Sequence, residues 1–159
     1  MTVRSLALSA GLAAGAVLTG CDSAPDLTSP DLTCEDASLS SRGTLTATTP
    51  SGSFRATCFD VVVDSDLVRI EALDFDLGAS SIDRGIELTV FGTTTGTYVV
   101  GDDDRPARAR YNATGNASID AESGTITVTE FSADRIRGSF AFETVNGVAV
   151  TEGAFDVEL

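Results

Sequence analysis

The stretch RIRGSFAF at residues 135–142 decides the fold class of this chain. Apolar side chains or glycine occupy every second position, and mostly polar or charged side chains lie between them. A period of two is that of a β-strand with one buried face and one solvated face. The predicted inward residues are Ile136, Gly138, Phe140 and Phe142, and the predicted outward residues include Arg135, Arg137, Ser139 and Glu143.

The same period extends in both directions from this strand. No part of the chain after residue 42 has a sustained helical period. The sequence therefore predicts an all-β domain, an antiparallel β-sandwich or small β-barrel of about 8–10 short strands. Further inward-facing sets are Phe59, Val61 and Val63; Ile86, Leu88 and Val90; Ala107, Ala109, Tyr111 and Ala113; Ile126 and Val128; and Phe155 and Val157.

Shifts of phase predict irregularities within the strands. A one-residue slip would turn an apolar set outward, so each change of parity calls for a bulge or bend. Residues 67–77 change parity near Ala72, and the last strand changes parity at Gly153. The dipeptide Asn146-Gly147 favours a tight hairpin. Because the chain ends on a strand, we expect Leu159 to be packed.

The first 20 residues are typical of an export signal. Arg4 supplies a positive start, and an apolar run at residues 6–18 is too short and too rich in glycine and alanine for a transmembrane span. The run ends in Leu18-Thr19-Gly20-Cys21, which resembles the lipobox of bacterial lipoproteins. The resemblance implies that Cys21 takes a diacylglyceryl group and becomes the new N-terminus. An ordinary secretory signal is the alternative.

This resemblance divides the chain into three parts. Residues 1–20 are the lipoprotein signal peptide, residues 21–42 are the lipidated cysteine and a flexible tether rich in Asp, Ser and Pro, and residues 43–159 are the all-β domain. Each acyl CH₂ buried in a bilayer contributes about 0.8 kcal/mol, so two or three chains hold firmly. We expect a protein attached to the cell envelope through the lipid on Cys21.

Cysteine usage predicts one disulfide. If Cys21 is acylated, Cys34 and Cys58 remain, and an even pair in an exported protein indicates a disulfide bond. Closing the loop between them stabilises the fold by about 3 kcal/mol in the chain-entropy model. Cys58 has the parity opposite to Phe59, so this bond would join the tether to the outside of the sheet. Two free thiols are the alternative.

Composition argues against several classes of function. The chain has 24 acidic residues against 10 basic ones, a formal net charge of -14, and no His or Lys. A net anionic surface repels phosphate, so we expect no nucleic-acid partner. The lack of His removes the commonest metal ligand and the usual general base, and the lack of Lys removes Schiff-base chemistry. We expect no metal, no cofactor and no enzymatic activity.

Several segments of the C-terminal half carry a family resemblance: AESGTITVTEF at 121–131, RIRGSFAF at 135–142, GAFDV at 153–157, Gly96-Thr97-Tyr98 and the strand around Tyr111. They are similar to a group of uncharacterised bacterial lipoproteins with a domain of unknown function. The resemblance covers residues 43–159 and is clearest over residues 96–159; it departs from the pattern of the group near Phe54. It implies an all-β lipoprotein domain without an assigned activity, and it favours the outer membrane over the inner membrane.

Four arginines form the candidate binding site. Arg108 and Arg110 share one strand face, as do Arg135 and Arg137. If the two strands are neighbours, the guanidinium groups form a basic stripe suited to a carboxylate, a phosphate or an acidic glycan. The alternative, which we favour, is cross-strand pairing with Glu87, Glu130, Glu143 and similar acids.

Two acidic constellations have weaker support. Asp102-Asp103-Asp104 would suit Ca²⁺, but the spacing of an EF-hand is absent and a solvated loop is the simpler interpretation. Paired carboxylates would suit glycoside hydrolysis at a separation of about 5 to 9.5 Å. With this many acids, some pair meets that distance by chance.

Three functional hypotheses follow. The first is a lipid-anchored, non-enzymatic interaction or structural module of the envelope, with a protein or glycan partner. The second is a small barrel that carries an apolar ligand, and the third is a carboxylate-dependent hydrolase. The carrier requires that the inward set enclose a pocket rather than pack as a core: Leu88, Ile126, Val128, Ile136, Phe140, Phe142 and Phe155.

Overall fold

A computed structural model describes residues 33–34, 39–40, 42–76, 81–101, 104–113 and 117–159. The predicted signal peptide, Cys21 and most of the tether lie outside these residues. Within them the chain is all-β, as predicted, and contains no helix that is long and apolar enough to cross a membrane. The strands are β1 (Gly43–Thr49), β2 (Gly52–Arg55), β3 (Cys58–Val63), β4 (Val68–Asp76), β5 (Ser81–Val90), β6 (Gly96–Val100), β7 (Ala107–Asn112), β8 (Ile119–Phe131), β9 (Arg135–Thr144) and β10 (Ala149–Glu158).

The ten strands form one hydrogen-bonded sheet. Its order is β2-β1-β10-β9-β8-β6-β7-β5-β4-β3. Neighbouring strands are antiparallel except β6 and β7, which meet in parallel at the pair Val100 and Ala107. β7 also pairs directly with β8, at Arg110 with Asp120 and at Tyr111 with Ile119. β6 therefore fills only part of the space between β7 and β8.

The sheet curls until its two edges meet. β2 and β3 lie at opposite edges, yet only Ala56 and Thr57 separate them along the chain. The amide of Ala56 donates to Leu45 O on β1 at 2.9 Å, and the amide of Thr57 donates to Leu73 O on β4 at 2.9 Å. The chain thus changes partner between these two residues, which separates β2 from β3.

Other contacts close one end of the curled sheet. The hydroxyl groups of Ser51, in the β1–β2 turn, and Tyr111, on β7, lie 3.1 Å apart. The guanidinium of Arg84 on β5 lies 5.5 Å from the ring centroid of Phe54 on β2. Both contacts join strands that are distant in the sheet order. The domain is therefore a small barrel with an incomplete seam.

The inner face of the sheet forms one hydrophobic core. The seven residues that the carrier hypothesis places around a pocket, Leu88 to Phe155 in the set given above, all belong to this core. They therefore pack against one another and do not enclose a pocket. Phe155 lies over Gly138 on the neighbouring strand, and Phe140 lies over Gly153 in the same manner. A Cβ at Gly138 would stand 2.5 Å from the Phe155 ring, and one at Gly153 would stand 2.6 Å from the Phe140 ring. The two rings thus occupy the space that glycine leaves.

The predicted irregularities are present, one of them displaced. The register of β10 shifts between Val150 and Gly153, where Glu152 has a φ of 53°. In β4 the register shift falls between Asp74 and Phe75, beyond the predicted position at Ala72. The change of parity near Ala72 has a different cause. Leu73 is buried although it lies on the outer face of the sheet, opposite Cys58.

Candidate functional site

The outer edge of β3 meets the tether at the seam of the barrel. Beyond Ala56, Ser40 and Phe59 exchange two backbone hydrogen bonds of 2.7 Å. β3 continues past this bridge to Val63. The residues that precede the bridge, 35–38, lie outside the described ranges, so the described part of the wall on this side ends at Leu39 and Ser40.

The hydrogen-bond pattern shows which backbone groups of β3 point away from β4. Asp64 donates to Leu67 O at 2.9 Å in the β3–β4 turn, so the alternate residues Val62 and Asp60 are the ones that exchange hydrogen bonds with β4. Phe59 bonds in the other direction, to Ser40. Val61 and Val63 share the phase of Phe59, so their N–H and C=O groups also point away from β4.

Beside Val61 and Val63 lies an apolar groove of about 600 Å³, here called the seam groove. Val63 is 46% exposed and Leu159 is 38% exposed. The prediction that Leu159 is packed is therefore wrong for its side chain, although its amide donates to Asp134 O at 3.0 Å. The groove is lined by Val61, Val63, Phe131, Ser132, Ala133 and Leu159.

A second, more polar cleft adjoins the seam groove. It holds about 240 Å³ and shares Val61 and Leu159 with the seam groove. Arg42 and Glu158 also line it, with 3.9 Å between Arg42 Nη1 and Glu158 Oε2. The two depressions thus form one continuous seam from the Ser40 bridge to the end of the barrel.

Acidic turns flank the seam groove. Asp64 and Asp66 lie on the β3–β4 turn, and Asp134 lies on the β8–β9 turn. All three are exposed, and none forms an ion pair within the described part of the chain. The groove therefore combines an apolar floor with an anionic rim.

The predicted disulfide is present on the outer face. Cys34 and Cys58 are bonded, with 5.4 Å between their Cα atoms. Cys58 is only 1% exposed, although it lies outside the inner core, because the bond and Leu73 cover it from the outside. Leu39 donates to Cys34 O at 2.7 Å and is followed by the Ser40 bridge. The disulfide therefore attaches the end of the tether beside the seam.

The four predicted arginines do not form one stripe. Arg108 and Arg110 lie on β7, whereas Arg135 and Arg137 lie on β9, and β8 and β6 separate the two strands. The condition for a shared anion site, that the strands be neighbours, is not met. Each pair of arginines has its own partners instead.

Arg135 and Arg137 converge on Asp156. Arg135 donates to Asp156 through Nε at 2.5 Å and Nη2 at 2.6 Å, and Arg137 donates through Nε at 3.0 Å and Nη2 at 2.8 Å. The hydrogen bonds from Arg135, followed by those from Arg137, lower the pKa of Asp156. Glu130 lies 3.8 Å from Arg137, in agreement with the predicted cross-strand pairing.

Arg108 and Arg110, the other pair, contact different partners. Arg110 Nε donates to Asp120 Oδ1 at 2.5 Å, and this hydrogen bond raises the pKa of Arg110. Glu87 stands opposite Arg110 on β5 and raises that pKa further. The guanidinium of Arg108 lies 5.3 Å from the ring centroid of Phe91. Both arginines line a surface cleft of about 380 Å³ beside the short strand β6.

The described residues add no ligand to the predicted calcium site and no partner to the predicted carboxylate pair. Asp102 and Asp103 lie outside the described residues. Within the described ranges, no group of three Asp, Glu, Cys or His side chains is placed to hold a metal ion. The one described carboxyl group with a resolved pKa shift is Asp156, whose pKa is lowered; a general acid of a hydrolase needs a raised one.

The seam groove is the feature that the sequence did not reveal. Val61 and Val63 were correctly assigned to the inner face, but their position beside a groove depends on the distant residues Phe131 and Leu159 that line its other side. The only local signal is the run Val61-Val62-Val63, which is apolar on both faces and precedes an acidic turn.

Comparison with known proteins identifies a family without supplying a function. No curated protein and no solved structure matches the chain. One family matches residues 42–157, which is well over half of the sequence and includes every strand except the last residue of β10. The chain belongs to this family, the domain of unknown function DUF6252.

Proposed function

We propose that this protein is a lipid-anchored, non-enzymatic module of the bacterial cell envelope that binds a partner through the seam groove. Its anchor is the lipid on Cys21, as the resemblance of Leu18-Thr19-Gly20-Cys21 to a lipobox implies. The outer membrane is the favoured location. The tether reaches the barrel at Cys34 and Ser40, next to the groove.

The observation that carries this proposal is the exposed apolar floor of the groove. An exposed apolar patch rimmed by polar residues is typical of an interaction site. Burial of Val63 and Leu159 by a partner would remove apolar surface from water, which favours association. The inner core, by contrast, is already covered.

The pKa shifts of three described residues mark structural ion pairs on the surface. The resolved pKa shifts belong to Arg110, Arg135 and Asp156, and each arises chiefly from a surface ion pair. These shifts hold each group in its charged form. Acid–base catalysis near neutral pH requires shifts in the opposite sense.

The carrier hypothesis retains one supporting observation. A volume of about 600 Å³ lies within the range of small-molecule sites. The groove is open along the seam, however, and the predicted inward set packs as core. An apolar small molecule therefore remains the second candidate occupant of the same groove.

The proposal is tested in the source bacterium with the full-length protein. A photo-reactive phenylalanine analogue replaces Val63 in the groove or, as a matched control, Val145. Val145 is 62% exposed on the β9–β10 turn at the opposite end of the barrel. We expect a light-dependent protein adduct from position 63 and none from position 145. Equal adducts from both positions, or none from position 63, would contradict the proposal.

The anchor is tested separately by fractionation. Cys21→Ala removes the thiol that the lipid requires, so we expect the variant to move from the membrane fraction to the soluble fraction. Cys21→Ala protein that stays in the membrane fraction would show that another element holds it there.

A further inference from the structure

We infer that a depression on the outer face of β1, β8, β9 and β10 binds a neutral saccharide that carries N-acetyl groups. The depression holds about 320 Å³ and shares no lining residue with the seam groove. It is therefore a second site, which goes beyond the proposed function and does not depend on it. The four strands that form it are described along their whole length. The inference follows from the floor of the depression, the hydrogen-bond donors of its wall and the charge around it.

Small side chains form the floor of the depression. Ala154 on β10 stands opposite Ser139 on β9 and opposite Thr46 on β1. Ala154 and Ser139 are both exposed, and both line the depression. The larger side chains of Arg137 and Asp156, which stand opposite each other in the next outward row, form its wall. The volume is at the lower end of the range for small-molecule sites.

The wall presents a hydrogen-bond donor in a fixed orientation. Arg137 donates to Asp156 Oδ2 through Nε at 3.0 Å and through Nη2 at 2.8 Å, so its guanidinium plane is held in place. Its Nη1 lies 3.8 Å from Glu130 Oε2, which is longer than a hydrogen bond. A guanidinium group has donors only. The ligand atom that meets Nη1 must therefore be an acceptor.

The charges around the wall select a neutral acceptor. Arg135 and Arg137 contact two carboxylates, those of Asp156 and Glu130, so the positive charges are balanced. The whole chain carries a net charge of -14, which repels anions. A carboxylate or phosphate ligand would thus meet no excess of positive charge here. The carbonyl oxygen of an amide is an acceptor without charge.

An N-acetyl sugar combines these requirements in one unit. Its acetamido carbonyl would accept from Arg137 Nη1, and its methyl group would lie against Ala154. Its ring hydroxyls would exchange hydrogen bonds with the hydroxyls of Thr46 and Ser139, which bond to no other side chain or backbone group in the described part of the chain. Phe155, the aromatic residue of the lining, is buried and offers no ring for stacking. We therefore expect an affinity in the millimolar range.

The test measures saturation transfer by NMR from the full-length protein, in a detergent without sugar groups, to matched trisaccharides. They are the β-linked trimers of N-acetylglucosamine, glucose and glucosamine. We expect the N-acetyl trimer to bind at least about fivefold more tightly than the glucose trimer, because only the former offers a carbonyl to Arg137. Its acetamido methyl should receive more saturation than its ring protons, since the methyl contacts the floor. The cationic glucosamine trimer reports binding by charge alone.

Two pairs of variants locate the binding. Ala154→Val fills the floor, and Ala141→Val makes the same change at an exposed alanine of β9 that does not line the depression. Arg137→Gln removes the donor, and Arg135→Gln removes an arginine that binds the same Asp156 without lining the depression. We expect the first member of each pair to weaken binding at least about fivefold and the second to leave it unchanged. Melting temperatures should be similar within each pair, because the altered side chains are exposed.

Several results would overturn the inference. They are equal binding of the N-acetyl and glucose trimers, tightest binding of the glucosamine trimer, equal effects within either pair of variants, and no saturation transfer at millimolar trimer. N-acetylalanine methylamide, a peptide unit with the same amide group, gives one more comparison. Saturation of this compound equal to that of the N-acetyl trimer would assign the depression to a peptide instead. None of these results would affect the seam groove, whose test uses position 63.

Discussion

The C-terminal strands β8 to β10 are held on both faces of the sheet, whereas β3 is held along one edge and from the outside. On the inner face of β9 and β10, aromatic rings lie over glycines; on the outer face, Arg135 and Arg137 bind Asp156. β3 pairs with β4, and its other edge meets the tether at the bridge between Phe59 and Ser40. Its outer face is fixed by the Cys34–Cys58 disulfide.

The two regions are held in place by different means. β9 and β10 pair along both edges, which can keep their backbone groups satisfied, so they form the frame of the barrel. β3 pairs with β4 along one edge, and the covalent bond at Cys58 attaches it to the tether without a neighbouring strand.

The largest expected effect comes from filling the space above a glycine in the frame. In Gly138→Ala, the new Cβ would lie 2.1 Å from Thr127 O and 2.5 Å from Phe155 Cζ. The backbone oxygen cannot yield without separating β8 from β9, so we expect a loss of about 4 kcal/mol in the free energy of unfolding. Denaturant unfolding followed by circular dichroism measures it.

Gly85→Ala is the matched control for this substitution. Gly85 lies on β5, next to β4, and its nearest neighbour to a new Cβ is the flexible end of Leu73 at 3.1 Å. The side chain can shift, so we expect a change below about 1 kcal/mol. Similar losses for both variants would mean that the two regions do not differ in packing.

The next largest effect comes from breaking the disulfide that holds β3. We expect the double variant Cys34→Ser/Cys58→Ser to lose about 3 kcal/mol of unfolding free energy, since the bond closes a long loop in the unfolded chain. Hydrogen exchange should rise most in β3, because the tether then no longer covers the outer face at Leu73. Exchange that rises equally in β9 would show that the two regions unfold as one unit.

The sequence was sufficient for features that depend on neighbours along the chain. The alternation at residues 135–142 placed Phe140 and Phe142 inside, and the change of parity in the last strand located the bulge before Gly153. The cysteine count indicated the pairing of Cys34 with Cys58. In each case the deciding pattern lies within a few residues or in the composition.

Features that depend on which strands become neighbours were not predictable in this way. The break at Ala56–Thr57 arises because the chain leaves β1 for β4, and neither partner is local. The bulge in β10 adds one residue, which places Asp156 rather than Phe155 opposite Arg137. A residue count that ignored the bulge would have paired Arg137 with an aromatic ring.

The smallest expected effect comes from the outer face of the frame. In Asp156→Asn the carboxylate that binds Arg135 and Arg137 is lost. The arginine side chains are 44% and 47% exposed, so solvent screens the interaction. We expect a loss of about 1 kcal/mol in the unfolding free energy at neutral pH. Thermal unfolding of the two proteins gives the difference.

The pH dependence of that difference identifies its source. Hydrogen bonds from Arg135 hold the pKa of Asp156 below its ordinary value of 3.8. A carboxyl group with a depressed pKa contributes fully above its unfolded-state pKa and loses that contribution as pH falls through its folded-state pKa. The difference in unfolding free energy between wild type and Asp156→Asn should therefore be constant near neutral pH and shrink below about pH 4. Glu158→Gln is the control, because Glu158 lies 3.9 Å from Arg42 and both are largely exposed; it should show little gap at any pH. If the Asp156 gap persisted into strong acid, shape rather than charge would hold the outer face of β9 and β10.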